Sequence, residues 1–283
     1  MLRIAVQTKG RLHEETMKML EESSIKISNS NRLLLVQSPN FPVEILYLRD
    51  DDIPQAVATG IADVGIVGEN EYVEKHEDAV IVKRLDFSKC RLSLAIPKEV
   101  DYQGLQWFQG KRIATSYPVI LKDFLDKNNI QAEIHIITGS VEIAPGIGLA
   151  DCIFDIVSSG STLVSNNLKE VEVVMKSEAL MIGNKHLTAD KQAILNELLF
   201  RFDSYKNAEG KKYIILNIPN DKIPEVCKLL PGMKSPTITP LVESGWSSLH
   251  SVIEEKTFWD IISQLKAIGA EGILVVPIEK MIL

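Results

Sequence analysis

The chain has 283 residues, 45% hydrophobic and 24% charged, which is room for two or three globular domains. A net charge of −7 and a pI near 5.4 argue against a general nucleic-acid binder, although local basic residues can still meet a phosphate-rich ligand. Three scattered cysteines, no run of eighteen apolar residues and no apolar leader predict a reducing, cytoplasmic setting without disulfides, a zinc site or a membrane span.

Leu2 to Val6 reads as a first strand. The polar turn Gln7 to Arg11 follows, and then a helix from His13 to Glu22 with Met17 and Leu20 inward. Lys9 and Arg11 stand at this strand-to-helix junction, where an anion meets both charge and helix dipole; a solvated basic turn is the plainer alternative. Arg32 to Gln37 and Val43 to Leu48 read as strands. Arg49 and three aspartates open the next helix, with Asp52 as expected N-cap and Pro54 in the first turn. Gly60 to Gly68, GIADVGIVG, closes that helix and enters a strand. Gly68, Glu69 and Asn70 end it in polar groups that face the expected crevice.

After Arg84 comes the strand Leu92 to Ile96, and Pro97, Asp101 and Gly104 mark an expected crossing into a second lobe. There Arg112-Ile113-Ala114 echoes Arg3-Ile4-Ala5, and GLADCIFDIVS echoes GIADVGIVG. Two echoes in one order suggest two α/β lobes of similar build; chance likeness between buried strands is the alternative. Val119 to Lys127 reads as a helix, Ile134 to Ile137 as a strand, and Gly139 to Glu142 as a turn. Val171 to Met175 and Ala179 to Ile182 look like strands leading back. Asp190 to Tyr205 is an amphipathic helix.

The richest stretch is Gly148 to Leu168: a buried strand, a Ser/Gly/Thr loop and a helix start. Asp151 and Asp155 are four apart, hence on one face of an extended strand, and such acids need polar partners. Ser158, Ser159, Gly160, Ser161 and Thr162 offer hydroxyls, close backbone approach and N–H groups, which suits a phosphate. Acids beside a phosphate cradle suggest a phosphorylated sugar; a tight solvated turn is the alternative. No Ser-His-Asp or Cys-His arrangement emerges, and the five histidines lack metal-ligand spacing.

Beyond the polar joint Asn207 to Lys212 the order is strand (Tyr213 to Ile218), helix (Ile223 to Leu230), two strands (Thr237 to Leu241, Trp246 to Ile253), helix (Phe258 to Ile268) and strand (Gly272 to Pro277). That β-α-β-β-α-β order is ferredoxin-like. The expected domains are 1–96 with 180–208, then 97–179, then 209–283.

The motifs QTKGRL, LRDDDIP, GIADVGIVGEN, RLDFSKCRLSLA, GKRIATSYP, GSVEIAP, GLADCIFDIVSSGSTL, LLPGMKSPTI and LVVPIEKM run through the whole chain. Together they resemble the long-form ATP phosphoribosyltransferases of histidine biosynthesis. The resemblance implies an α/β, two-lobed catalytic core like type II periplasmic binding proteins, with a C-terminal ferredoxin-like regulatory domain. It implies transfer of phosphoribosyl from 5-phosphoribosyl 1-pyrophosphate to N1 of ATP, with Mg²⁺, and feedback inhibition by L-histidine.

By matching motif, Asp151 and Asp155 are expected on the ribose hydroxyls, and Ser158, Ser159, Gly160, Ser161, Thr162 and Leu163 on the 5′-phosphate. Glu142 is a candidate for ribose or metal, Mg²⁺ otherwise riding on substrate phosphates. Lys9, Arg11, Arg32, Arg49 and Arg91 would counter triphosphate and pyrophosphate, with Lys9 and Arg11 joining both aspartates as catalytic residues. Gly68, Glu69, Asn70, Thr115 and Tyr117 would line the ATP cleft. Met233, Ser235, Thr237, Ala270 and Gly272 would bind histidine. Ser159 and Ser161 depart from the family's common Thr and Ala, which touches affinity alone. The resemblance further implies a homo-oligomer shifting between dimer and hexamer, with no separate regulatory subunit, nucleic acid or membrane partner. A two-lobed solute receptor or sensor is the rival class. A catalytically dead regulatory subunit is a third reading, which would predict loss of those acids, or of Lys9 and Arg11; all are present.

Overall fold

The computed structural model describes residues 1–28 and 33–283. They form two compact units: 1–18 with 25–195, and 196–283 with Met19–Ser24. In the first, β1 (Leu2–Gln7) is followed by α1 (Arg11–Glu22), β2 (Leu35–Gln37), β3 (Val43–Leu48), α2 (Ile53–Ala58), β4 (Val64–Gly68), α3 (Glu69–Lys75) and β5 (Val80–Arg84). Next come β6 (Cys90–Pro97), β7 (Arg112–Thr115), α4 (Pro118–Lys127), β8 (Glu133–Ile136), β9 (Cys152–Val157), α5 (Ser161–Ser165), β10 (Leu168–Ser177), β11 (Ala179–Gly183) and α6 (Ala189–Ala208), which runs on into the second unit.

Two sheets result, ordered β2-β3-β1-β4-β11-β5 and β10-β6-β9-β7-β8. In each, three parallel strands (β3-β1-β4 or β8-β7-β9) are extended at one side by two further strands, the first of them antiparallel to its parallel neighbour, and the first sheet also carries β2, antiparallel to β3, at its other edge. The parallel strands carry continuous apolar runs because both faces are covered. Cys152 and Phe154 of β9 pack with Leu94, Phe108 and Tyr117 on one side, and Ile153 and Val157 with Ala95, Ala144 and Leu163 on the other.

The echoes noted in the sequence thus mark two lobes of the same strand pattern. The crossing, however, precedes Pro97. The strand at Cys90–Pro97 pairs with β9 and β10, so the chain changes lobe across residues 85–89 and returns at Glu178. Asp52 makes no side-chain cap bond to α2; Asp50–Asp52 is instead a single 3₁₀ turn.

The second unit continues with β12 (Lys211–Pro219), α7 (Ile223–Leu229), β13 (Thr237–Pro240), β14 (Trp246–Glu254), α8 (Glu255–Ile268) and β15 (Glu271–Pro277), in sheet order β13-β14-β12-β15. Alternation along β12 and β14 turns Ile214, Leu216, Ile218, Leu249 and Ile253 onto Val226, Ile261 and Leu265 of the helices. Among the described residues no helix is long and apolar enough to cross a membrane.

Candidate active site

The loop after β9 begins where the buried run ends. Gly160 takes φ +82°, the left-handed region that favours glycine, and turns the chain into α5. Leu163 is buried and anchors α5, leaving the hydroxyls of Ser158, Ser159, Ser161 and Thr162 exposed. Ser159 Oγ lies 3.0 Å from Ser161 Oγ and accepts the Ser161 N–H at 3.4 Å. Two arginines approach Ser158. Arg91 donates to its carbonyl at 3.0 Å, and Arg11, from the first lobe, to its hydroxyl at 3.3 Å. Glu170 braces Arg91 through two bonds of 2.5 Å and accepts the buried Ser93 hydroxyl at 2.6 Å. The Arg91 bonds hold the Glu170 carboxyl below its ordinary range. A cleft of about 730 Å³ lies on the Ser158 side, edged by Arg84, Lys89, Arg91 and Lys176. A second of about 620 Å³ lies on the Ser159–Ser161 side, edged by Arg91, Lys98 and Lys169.

Asp155 sits two residues before the end of β9, opposite Ser93. Burial pushes its carboxyl up to about 6, the Ile156 N–H at 2.8 Å pulls it down, and the neighbouring Glu142 pushes it up again. Glu142 lies in the 3₁₀ turn Val141–Ile143. The structure therefore gathers Asp155, Glu142 and the serine loop, with Arg11 and Arg91 above it.

Asp151 lies elsewhere. It precedes β9, at the opposite end of that strand from Ser158, so the shared face of Asp151 and Asp155 does not put both at the crevice. It accepts the Arg112 backbone N–H at 2.9 Å and the Arg112 guanidinium at 2.9 and 3.3 Å, and returns its own N–H to the Arg112 carbonyl at 2.9 Å. Asp63 does the same for Arg3 in the first lobe: it accepts the Arg3 N–H at 2.8 Å and returns its own at 3.0 Å. Gly60 and Gly148, each three residues earlier, have φ of +77° and +76°. The echo is thus a repeated strand clamp, and Asp151 is the structural partner of Asp63.

The Arg112 bonds hold the Asp151 carboxyl below its ordinary range. Its stabilisation is therefore present above the unfolded-state value and is lost as pH falls through the folded one. Asp151→Ala is expected to cost about 1 kcal/mol, lowering Tm by ~2–4 °C at neutral pH, with a smaller difference in acid, as thermal melts at both pH values would read.

Several other expected residues are engaged with protein. Thr115 is fully buried and its hydroxyl accepts the Tyr117 N–H at 2.8 Å, so it offers no surface to a ligand. Asn70 is buried, bonded to Ser177 and, at 3.2 Å, to the Tyr117 hydroxyl. Tyr117 is itself 7% exposed. Glu69 pairs with Arg84, which also holds Glu178. Gly68 ends β4 beside them. Lys9 is exposed on the same turn as Arg11, and Arg49 is exposed and pairs with Asp51 at 3.3 Å. Arg32 lies outside the described residues.

Sequence reasoning assigned no role to Glu71, Glu74, Arg84, Arg112 and Glu170; Arg84 and Arg112 lie in the RLDFSKCRLSLA and GKRIATSYP stretches, and the three glutamates in no motif. Burial and the nearby Asp50 push the Glu71 carboxyl up to about 7, partly opposed by the Tyr117 hydroxyl. Between the unfolded value and that one the native state binds more protons, so stability falls as pH rises through the window. Glu71→Gln is expected to be near neutral at pH 4.5 and to stabilise by about 1–3 kcal/mol at pH 8. Urea melts at the two pH values would measure it.

In the second unit, Met233 and Ser235 lead into β13, while Ala270 precedes β15 and Gly272 lies within it. These strands are the two edges of the four-stranded sheet, so the residues expected to bind histidine form two groups at opposite edges.

Comparisons with known proteins bear on this arrangement. A family model described as "HisG: ATP phosphoribosyltransferase" matches residues 49–204, and one described as "HisG, C-terminal domain" matches 208–280. The chain is 70% identical over 283 residues, all of both chains, to the ATP phosphoribosyltransferase of Phocaeicola vulgatus. It is 58% identical over 281 residues to that of Cytophaga hutchinsonii, covering 99% of this chain and 98% of the relative. The solved "ATP phosphoribosyl transferase (HisG:HisZ) complex from Thermotoga maritima" matches 71% of this chain and 96% of its own at 27% identity, with a TM-score of 0.62. The substrate binding protein of an amino acid ABC transporter matches 73% of this chain and 93% of its own at 10% identity, with a TM-score of 0.50, a likeness of fold alone. The two-lobed part is thus periplasmic-binding-protein-like, and the βαββαβ segment is the family's C-terminal domain. The chain belongs to the ATP phosphoribosyltransferase family, whose enzymes are glycosyltransferases.

Proposed function

We propose that this protein transfers the phosphoribosyl group of 5-phosphoribosyl 1-pyrophosphate to N1 of ATP, giving phosphoribosyl-ATP and pyrophosphate in histidine biosynthesis. The observation that carries the reading is the end of β9, where one strand delivers Asp155 beside Glu142 and then passes into the exposed serine loop. The loop hydroxyls and N–H groups of Ser158 to Thr162 and of Leu163 take the 5′-phosphate. Asp155 and Glu142 face the ribose hydroxyls. The adenine N1 lone pair attacks the anomeric carbon in line, the bond from that carbon to the pyrophosphate oxygen breaks, and the electron pair leaves with pyrophosphate. Positive charge on the ribose ring is countered by Asp155. Arg11 and Lys9, at the turn that faces the loop, hold the departing phosphates, and Arg91 fixes the Ser158 carbonyl and so the loop itself. ATP enters the cleft bordered by Glu69 and Arg84, with Arg49 near its triphosphate.

Among the described residues no three His, Cys, Asp or Glu side chains are placed to hold a metal ion. Glu142 and Asp155 fit the smaller demand of an ion shared with substrate phosphates, which needs one or two carboxylates. Together with the substrate phosphates these two carboxylates would hold Mg²⁺, which would supply neutralisation of the charge on the leaving pyrophosphate. L-Histidine acts through the C-terminal domain, which takes the place of a separate regulatory subunit, in a homo-oligomer that shifts from dimer to hexamer. Without a membrane or nucleic-acid partner, the enzyme works in the cytoplasm.

The test is pyrophosphate release from ATP and 5-phosphoribosyl 1-pyrophosphate with Mg²⁺, with and without L-histidine. Release that needs both substrates and falls with histidine is expected. Folded protein that releases none would return the solute-receptor reading.

A further inference from the structure

The two lobes meet at two places, and the meetings are unequal. At one, the α1 turn reaches the serine loop through a single direct bond among those described, Arg11 to Ser158 at 3.3 Å. At the other, α3 of the first lobe lies against α4 of the second, and buried side chains join them. Glu74, 8% exposed, accepts the Val119 N–H at 2.9 Å with one carboxylate oxygen and the Ile120 N–H at 3.0 Å with the other.

These are first-turn N–H groups of α4, which begins at Pro118 and has no side-chain cap from Tyr117. They have no partner within their own helix, and a carboxylate there also meets the positive end of the helix dipole. The cap comes from another lobe, 45 and 46 residues away in sequence. One turn earlier on α3, Asn70 joins the Tyr117 hydroxyl to Ser177, beside the chain's return crossing at Glu178.

A two-oxygen cap between buried elements fixes orientation as well as distance. One bond allows rotation about itself, and two bonds to successive N–H groups do not. The α3–α4 side therefore sets the angle at which the lobes face each other, and the weakly bonded α1–loop side is left as the mouth where substrates meet.

We infer that Glu74 is a positioning residue for phosphoribosyl transfer, acting through the N-terminus of α4 to set the first lobe against the second-lobe loop that holds the phosphoribosyl donor. This rests on the reaction proposed above. It predicts that loss of the cap harms alignment of the two substrates, which raises the barrier, while the donor keeps its second-lobe contacts to ribose and 5′-phosphate and is disturbed only at the pyrophosphate contacts of Arg11 and Lys9.

The experiment compares wild type with Glu74→Ala and Glu74→Gln in the full chain. Donor-binding sites are counted by calorimetry with 5-phosphoribosyl 1-pyrophosphate, and turnover is expressed per site. For Glu74→Ala, kcat per site is expected to fall about 10- to 100-fold, with a smaller rise, about fivefold at most, in the donor KM. Glu74→Gln, which keeps one carbonyl acceptor, should lie between, and it serves if the alanine variant does not fold. A purely structural role would lower the number of sites and leave turnover per site unchanged, which would overturn the inference.

Hydrogen exchange at the first turn of α4 reads the cap independently of any reaction. Faster exchange at Val119 and Ile120 in both variants is expected, and unchanged exchange would overturn the inference even with turnover altered. Wild type that exchanges as expected but releases no pyrophosphate would instead overturn the reaction, and with it the role of Glu74 in that reaction.

Discussion

Asp155→Asn is expected to lower turnover by about 10²–10³-fold while leaving ATP binding nearly intact. Asparagine keeps the shape and the acceptor for the Ile156 N–H, 2.8 Å away in the wild type, so the loop that follows should stay in place. It removes the negative charge that, in the proposed reaction, faces the ribose as positive charge develops there. The carboxyl titrates near 6 because burial and Glu142 oppose its ionisation, so wild-type activity should fall as pH drops below about 6. That acid limb should be absent in Asp155→Asn. Stability should move the other way. The native state holds its proton more tightly than the unfolded chain, so ionisation costs stability above pH 6, and the asparagine variant should melt higher at pH 8. Pyrophosphate-release kinetics, ATP calorimetry and melts would be run together. Turnover close to wild type would remove Asp155 from the chemistry, and Asp151→Asn, at the far end of β9, is the control that should retain it.

That contrast between two aspartates marks where the sequence was legible. Period-two strands, glycine turns and the βαββαβ order can be read because they are local patterns, and the structure has them close to the expected boundaries. The four-residue spacing of Asp151 and Asp155 implies one face of an extended strand, but Asp151 precedes β9, and a face does not say which end of a strand meets the crevice. The needed signal was in the chain: Arg112 stands to Asp151 as Arg3 to Asp63, and an acid repeated in both lobes fits a fold clamp better than a site found in one. Cys90–Pro97 was misplaced for another reason. An antiparallel strand can join either sheet, and only pairing with β9 and β10 decides. Glu74 had no legible signal, because its partners are backbone N–H groups on a distant helix. Thr115 and Asn70 matched the family's motifs, yet burial turns both into interior contacts.

Deleting residues 209–283 is expected to abolish inhibition by L-histidine while the two-lobed part keeps its fold. The deleted segment has its own core around Ile214, Leu216, Leu249 and Leu265, while Leu94, Phe108 and Phe154 are buried wholly within the first unit. Because α6 begins in the first unit and ends in the second at Ala208, the cut belongs after Ala208, where the helix stops and β12 has not begun. Histidine titrations of pyrophosphate release would compare full-length and truncated protein, with circular dichroism as the folding control. Persistent inhibition in a folded truncated protein would move the histidine site into the catalytic lobes. Loss of inhibition would leave the two groups of candidate contacts, Met233, Ser235 and Thr237 at one sheet edge and Ala270 and Gly272 at the other, to be separated in the full chain. Ser235→Ala and Ala270→Val would do so: if only one group binds histidine, one substitution should raise the inhibitory concentration about tenfold, equivalent to ~1.4 kcal/mol, and the other should leave it unchanged.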